Sequence, residues 1–132
     1  VEEVLEKTKK KMMKCTLPFA TLKNPVDLTG SASGAMYKCS IEACMQDKDI
    51  DGLLVILLFQ PPNIESDVVQ HVIELKAKYK KPMVVCSAGG QYTEIHRDIL
   101  ERSGVPTYPT PDRAIKALAV LNKYSQIKSR KL

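Results

Sequence analysis

The chain has 132 residues, 44% hydrophobic and 27% charged, the size and balance of one ordinary globular domain that can build a core without disulfides or a structural metal. Twenty Lys and Arg against fifteen Asp and Glu give a formal charge of +5, but the excess is spread over 7–14, 76–81 and 123–131, and there are no Trp and two Phe; nucleic-acid binding, which joins a basic surface to stacking aromatics or a recognition motif, is not expected. The longest apolar run, 52–59, falls far short of the about 20 residues that span a bilayer, and no basic-then-apolar leader opens the chain, so neither membrane insertion nor a retained secretion signal is expected.

Residues 1–14 place Val1, Val4, Leu5, Thr8 and Met12 at helical spacing with lysines opposite, which predicts a short amphipathic helix. A Val at position 1 running straight into a helix suggests a chain cut from something longer. Residues 15–28 are irregular, with Pro18 and Pro25 each pushing the preceding residue towards extended geometry, and one short strand is expected over 26–29. The small, flexible segment 29–34 leads into a helix over 35–46 with Met36, Cys39, Ser40 and Ala43 on one side. After Asp51 and Gly52, the apolar run 53–59 predicts a parallel strand covered on both faces.

Gln60-Pro61-Pro62-Asn63 breaks that run, and 64–79 returns to helical spacing with Val68, Val72, Ile73 and Leu75 facing inward. A second strand is expected over 83–86. The helix after it, 94–103, has Ile95, Ile99 and Leu100 as its apolar face and Gly104 as its C′ residue. A third strand follows over 105–108. Thr110-Pro111-Asp112 then opens a long helix over 114–124, through Ile115, Leu118, Ala119 and Leu121; a polar, fraying tail ends the chain.

Strands alternating with helices over short connections give an α/β fold, an open three-layer α/β/α sandwich with a mainly parallel sheet. The expected divisions are a helix and connector over 1–23, the domain proper over 24–124 and a polar tail over 125–132. In such sheets the useful loops lie at the carboxyl ends of the strands, here 29–34, 60–65, 87–93 and 108–112. The glycines of two of them let backbone N–H groups approach an anion at a helix start. They lack the lysine of GxxxxGK[ST] and the spacing of GxGxxG, so glycines serving only tight turns remain an equal reading. Behind the second strand-end loop, Glu65 and Asp67 stabilise the helix start but oppose an anion there.

His71 and His96 both fall in helical patterns without a local carboxylate-plus-nucleophile arrangement, and are read as helix-surface residues; there is no HExxH or GxSxG. Cys39, Cys44 and Cys86 lie in apolar contexts typical of free buried thiols, with no CxxC and no histidine at metal-ligand spacing. A reducing, cytoplasmic interior follows as the expected location.

Taken together, Asn24-Pro25-Val26-Asp27-Leu28-Thr29-Gly30, the 51–56 strand, Lys81-Pro82-Met83-Val84-Val85 leading to Gly89-Gly90, and Gly104-Val105-Pro106-Thr107-Tyr108 before Pro111-Asp112-Arg113-Ala114 form an ordered series. The series resembles the third domain of the alpha part of NDP-forming acyl-CoA synthetases, itself similar to the carboxyl-terminal domain of the succinyl-CoA synthetase beta subunit. The resemblance implies a flavodoxin-like domain of an acid–thiol ligase that joins an acid to CoA with ATP, through an acyl phosphate and a phosphohistidine on another domain. It implies CoA, ATP or ADP and Mg²⁺ for the complete enzyme and none bound by this domain alone. Its partners would be the CoA-binding, phosphohistidine and ATP-grasp domains.

Carried over as phosphate-facing or site-shaping positions are Asn24, Asp27, Gly30, Gln60, Gly89 and Gly90, with no catalytic residue and no metal ligand. Where the family has a glycine pair after the long strand, this sequence has Gln60-Pro61-Pro62. An apolar face bearing Phe59 or part of the first helix is expected where partner domains dock. Two other readings stand beside this one: an FMN- or nucleotide-binding flavodoxin-like module, and the synthetase-like region of a fused protein acetyltransferase.

Overall fold

The computed structural model describes residues 3–62 and 64–130; Val1, Asn63 and the last two residues of the expected tail lie outside them. The elements run α1 (Glu6–Met13), α2 (Gly34–Met45), β1 (Leu53–Ile56), α3 (Asp67–Lys78), β2 (Met83–Cys86), α4 (Gln91–Arg102), β3 (Thr107–Tyr108) and α5 (Pro111–Arg130). The strands form a parallel sheet in the order β1-β2-β3, with Leu53 opposite Met83, Ile56 opposite Cys86, and Cys86 opposite Tyr108. The α/β class and the parallel open sheet are as expected.

Side-chain alternation along the strands makes the layers. Val55, Leu57, Met83 and Val85 meet Ile41 and Met45 of α2, Val68, Val72 and Leu75 of α3, and Leu100 of α4. The alternate residues Val84 and Cys86 face Ala114 and Leu118 of α5. Three helices therefore cover one face and a single helix the other. A smaller cluster seats Val4 and Met12 against Ala43 and Cys44, with Leu22, Val26 and Ile50 around it, so α1 packs on the outer side of α2.

The single covering helix accounts for a difference at β1. The strand was expected over 53–59 with both faces covered; it pairs over Leu53–Ile56 only, and Ile56 and Leu58 are 48% and 49% exposed while Val55, Leu57 and Phe59 are buried. Ala114 rests over β2, at the centre of the sheet, which leaves the far end of β1 bare on the α5 side. Phe59 itself is buried, so the expected bare apolar face does not include it.

Other differences have local causes. No strand forms over 26–29: Thr21 and Asp27 make one isolated antiparallel bridge, each amide donating to the other's carbonyl at 2.9 and 2.8 Å, around a cis Asn24–Pro25 bond. Helix α4 begins at Gln91 rather than 94 and turns Thr93, His96 and Leu100 inward, leaving Ile95 and Ile99 exposed. Gly104 ends it at φ +84°, the left-handed C′ geometry that glycine adopts without a Cβ penalty. The fraying tail is helical instead; α5 runs on to Arg130.

Cys44 and Cys86 are free and buried, but Cys39 is not a free thiol: it is bonded to Cys15, joining α1 to α2. The sequence masks this because the two sit 24 residues apart, Cys15 in the turn that follows α1 and Cys39 within α2. Burial, the larger effect, and the nearby Asp47 push the Cys44 thiol up to about 11, and burial likewise raises Cys86; neither supplies a thiolate at neutral pH.

Candidate functional site

The carboxyl ends of the three strands are tied together by Ser87. Its hydroxyl donates to the Leu57 carbonyl at 2.7 Å and its amide to the Tyr108 carbonyl at 3.0 Å, while the Leu57 amide donates to the Cys86 carbonyl at 2.9 Å. Helices α2, α3, α4 and α5 begin at this end of the sheet, and the amino ends of the first three differ chemically.

The start of α2 is occupied by its own chain. Asp27 accepts from the Thr29 amide at 2.8 Å, an Asx turn, and Thr29 takes φ +72°, so the left-handed residue of this loop is Thr29 and not the neighbouring Gly30. Ser33 caps the helix, its hydroxyl accepting from the Met36 amide at 3.4 Å. The Asp67 carboxylate lies where a side chain on Gly34 would stand, 2.6 Å from the position of its Cβ, and holds His71 at 3.3 Å. The positive end of this helix thus already faces an anion. Tyr37 donates to the Ile56 carbonyl at 3.4 Å, and its phenol is raised by burial and then by the Asp27 charge.

The start of α3 carries Asp67 in its first turn and has no side-chain cap. That of α4 is different: Gly90 is the N-cap, no side chain caps the helix, and nothing lies within 4 Å of where a Gly90 Cβ would be. Gly89 is crowded instead. Its Cβ would strike the Thr93 side chain and come within 2.7 Å of the Gln60 amide nitrogen, so the loop after β1 reaches across to the glycine pair after β2. The one acid of this first turn, Glu94, is paired with Arg97 at 2.8 Å.

The six positions expected from the sequence therefore fall into two groups. Asp27 and Gly30, with Asn24 upstream, belong to the loop that delivers α2; Gln60, Gly89 and Gly90 gather at the uncapped start of α4. Sequence reasoning missed what fixes the second group. Phe59 packs on His96 with ring centroids 4.6 Å apart and on Tyr92 at 6.3 Å, and Tyr92 lies 4.3 Å from His96. His96 is not on the surface but 6% exposed. Its Nδ1 lies 2.7 Å from the Tyr92 carbonyl, which can only accept, so Nδ1 carries the proton. The available signal was the i, i+4 spacing of Tyr92 and His96 beside an apolar run ending in Phe59.

The crowding at Gly89 gives a test. Gly89→Ala is expected to destabilise the fold by about 1–2 kcal/mol, because Thr93 is buried and has no room to retreat. Gly90→Ala, with open space and an ordinary φ of −82°, meets no clash and should lose only the N-cap preference of glycine over alanine, about 0.5 kcal/mol. Urea unfolding of the two variants side by side decides it; equal losses would refute the geometry of this turn.

The family model of the Ligase-CoA domain matches residues 3–132. The chain belongs to the Ligase-CoA domain family. Among curated relatives, the alpha subunit of an ADP-forming acetate–CoA ligase I from Pyrococcus furiosus is 36% identical over 117 residues, 86% of this chain and 25% of that subunit. An ADP-forming acetate–CoA ligase from Methanocaldococcus jannaschii is 34% identical over 115 residues, 84% of this chain and 16% of that enzyme. A dinucleotide-forming acetyl-coenzyme A synthetase 1 from Candidatus Korarchaeum cryptofilum, solved in an apo form and with phosphate and ADP, superposes with a TM-score of 0.87 at 26% identity. The match covers 98% of this chain and, in the apo form, 29% of that one. This Ligase-CoA domain thus spans a quarter or less of the two curated relatives' length.

Among the described residues, no group of three or more His, Cys, Asp or Glu stands ready to hold a metal ion, and no helix is long and apolar enough to cross a membrane.

Proposed function

We propose that this Ligase-CoA domain is part of an ADP-forming acyl-CoA synthetase, an acid–thiol ligase that converts acid, CoA and ATP to acyl-CoA, ADP and phosphate. The observation that carries the reading is the family match over 3–132, with relatives named as ADP-forming ligases along most of the chain. In this reading the chemistry is done by a phosphorylated histidine on another domain, and the present domain walls its pocket. CoA, ATP or ADP and Mg²⁺ belong to the complete enzyme, and the CoA-binding, phosphohistidine and ATP-grasp domains are its partners. A cytoplasmic setting fits the free Cys44 and Cys86, and the partly buried Cys15–Cys39 bond is then the part that a reducing interior would open.

Within the domain, the uncapped start of α4 is the end best suited to an anion. Its first-turn amides are unshared by any capping side chain, Gln60 offers an amide donor beside Gly89, and open space lies over Gly90. Asn24, Asp27 and Gly30 act one step back, by shaping the loop that carries α2. Neither the flavin module nor the fused acetyltransferase draws support from relatives that are named ligases.

The test is reconstitution. Acyl-CoA formation from acid, CoA and Mg-ATP, measured with the rest of the enzyme in the presence and absence of this domain, should rise at least a hundredfold on its addition. Equal rates without it would remove the domain from the reaction.

A further inference from the structure

Helix α5 buries Ala114 alone, while Val120, Leu121 and Tyr124 are 68%, 45% and 62% exposed. A shallow depression is lined by Lys116, Ala117, Val120, Leu121 and Tyr124, all of α5 and of no other element. Positions 117, 120, 121 and 124 stand as i, i+3, i+4 and i+7, the four residues that form the hole for one knob of a facing helix. Ala117 makes the floor and the three larger side chains the rim.

The charge around the hole has one sign. The helix carries Arg113, Lys116, Lys123, Lys128 and Arg130 against the single acid Asp112, which already lies 3.9 Å from Lys116. Lys116 and Lys123, seven residues apart, fall on the same flank of the stripe, where helix pairs place the charges that choose a partner. A second α5 would set lysine against lysine. A basic amphipathic helix also attracts anionic lipid, but a side-chain-sized hole with an alanine floor matches a knob better than it matches acyl chains, and no Trp or Phe anchors the stripe.

We propose that this face of α5 seats an acidic amphipathic α-helix from the remainder of the synthetase, one apolar side chain in the hole at 117, 120, 121 and 124 and carboxylates beside Lys116 and Lys123. The source of that helix rests on the function proposed above; its chemistry rests on α5.

The experiment places the photo-crosslinker p-benzoylphenylalanine at position 120 of the full-length protein that carries this chain. After irradiation the attached segment is mapped by mass spectrometry. The expected product joins α5 to a helix with an apolar stripe flanked by Asp or Glu, and its yield falls at least fivefold in Lys116→Glu/Lys123→Glu and in Ala117→Trp, which fills the hole. Both variants alter side chains that are not buried, and circular dichroism checks that they fold. A product with a second α5, with phosphatidylglycerol vesicles included in the sample, or with a segment lacking acids overturns the proposal, as do no product and a yield indifferent to charge reversal. Acyl-CoA formation is scored separately. A charge-sensitive product in a protein without ligase activity removes the proposed function and keeps the helix seat; activity without the product does the reverse.

Discussion

Asp47→Ala is expected to lower the unfolding free energy by about 3 kcal/mol, close to 10 °C in melting temperature for a chain of this size. The side chain is 1% exposed and accepts from the Thr8 hydroxyl at 2.7 Å, the Asp49 amide at 3.0 Å and the Leu5 amide at 3.4 Å. Removing it strands a buried hydroxyl and loosens the first turn of α1 from the end of α2. The same place receives Lys81, whose ammonium donates to the backbone carbonyls of Cys44, at 3.1 Å, and Asp47.

Burial by itself raises the Asp47 carboxyl, but the donations from Thr8, Asp49 and Leu5, with the Lys7 charge, outweigh it and hold the group below its usual range. A carboxyl lowered in the native state contributes stability that is fully present above the unfolded value, near 3.9, and is lost as pH falls through the native one. The parent and Asp47→Ala should therefore differ most above about pH 5 and converge in acid. Parallel urea titrations at pH 7 and pH 3 measure this, and a difference that does not shrink would show that the carboxylate charge is not what holds the turn.

The second large effect concerns Cys15 and Cys39. Closing a loop of 24 residues constrains the unfolded chain, and opening it, by Cys39→Ser or by reductant, should cost about 3 kcal/mol on the chain-entropy account. Thermal melts with and without dithiothreitol supply the check: the parent should fall to the level of Cys39→Ser, and the variant should not respond. The loss should be felt first in α1, because the Val4 and Met12 contacts and the disulfide join the same two helices. A reductant-indifferent parent would mean that the bond contributes nothing to folding.

The sequence carried the architecture where a pattern was long and periodic. The inward Val68, Val72 and Leu75 of α3, the strand at 83–86 and the Thr110-Pro111-Asp112 opening all stand as expected, and in the last the Thr110 hydroxyl lowers Asp112 by donating to it. It failed where tertiary placement decides exposure. Ile95 and Ile99 read as an inward face, yet α4 is rotated so that the Phe59, Tyr92 and His96 stack and Leu100 face the sheet. Leu58 read as core because nothing in a linear run says that only one helix lies across that face. In the candidate site the glycine pair was legible, whereas the contact between Gly89 and Gln60 brings together two loops some thirty residues apart, and no local spacing encodes it.

One consequence concerns aggregation. Among the described residues β1 is an edge strand, paired only with β2, and an open edge beside the bare Ile56 and Leu58 is the kind of surface onto which a foreign strand can zip. The chain blunts that edge by brevity and by obstruction. β1 is four residues long, the Tyr37 hydroxyl donates to the carbonyl of its last residue, and Pro61 and Pro62 deny donors to any continuation. What remains is too short a ladder to template fibrillar growth, so the chain can expose apolar side chains at the sheet's end without exposing the backbone register that would make them hazardous.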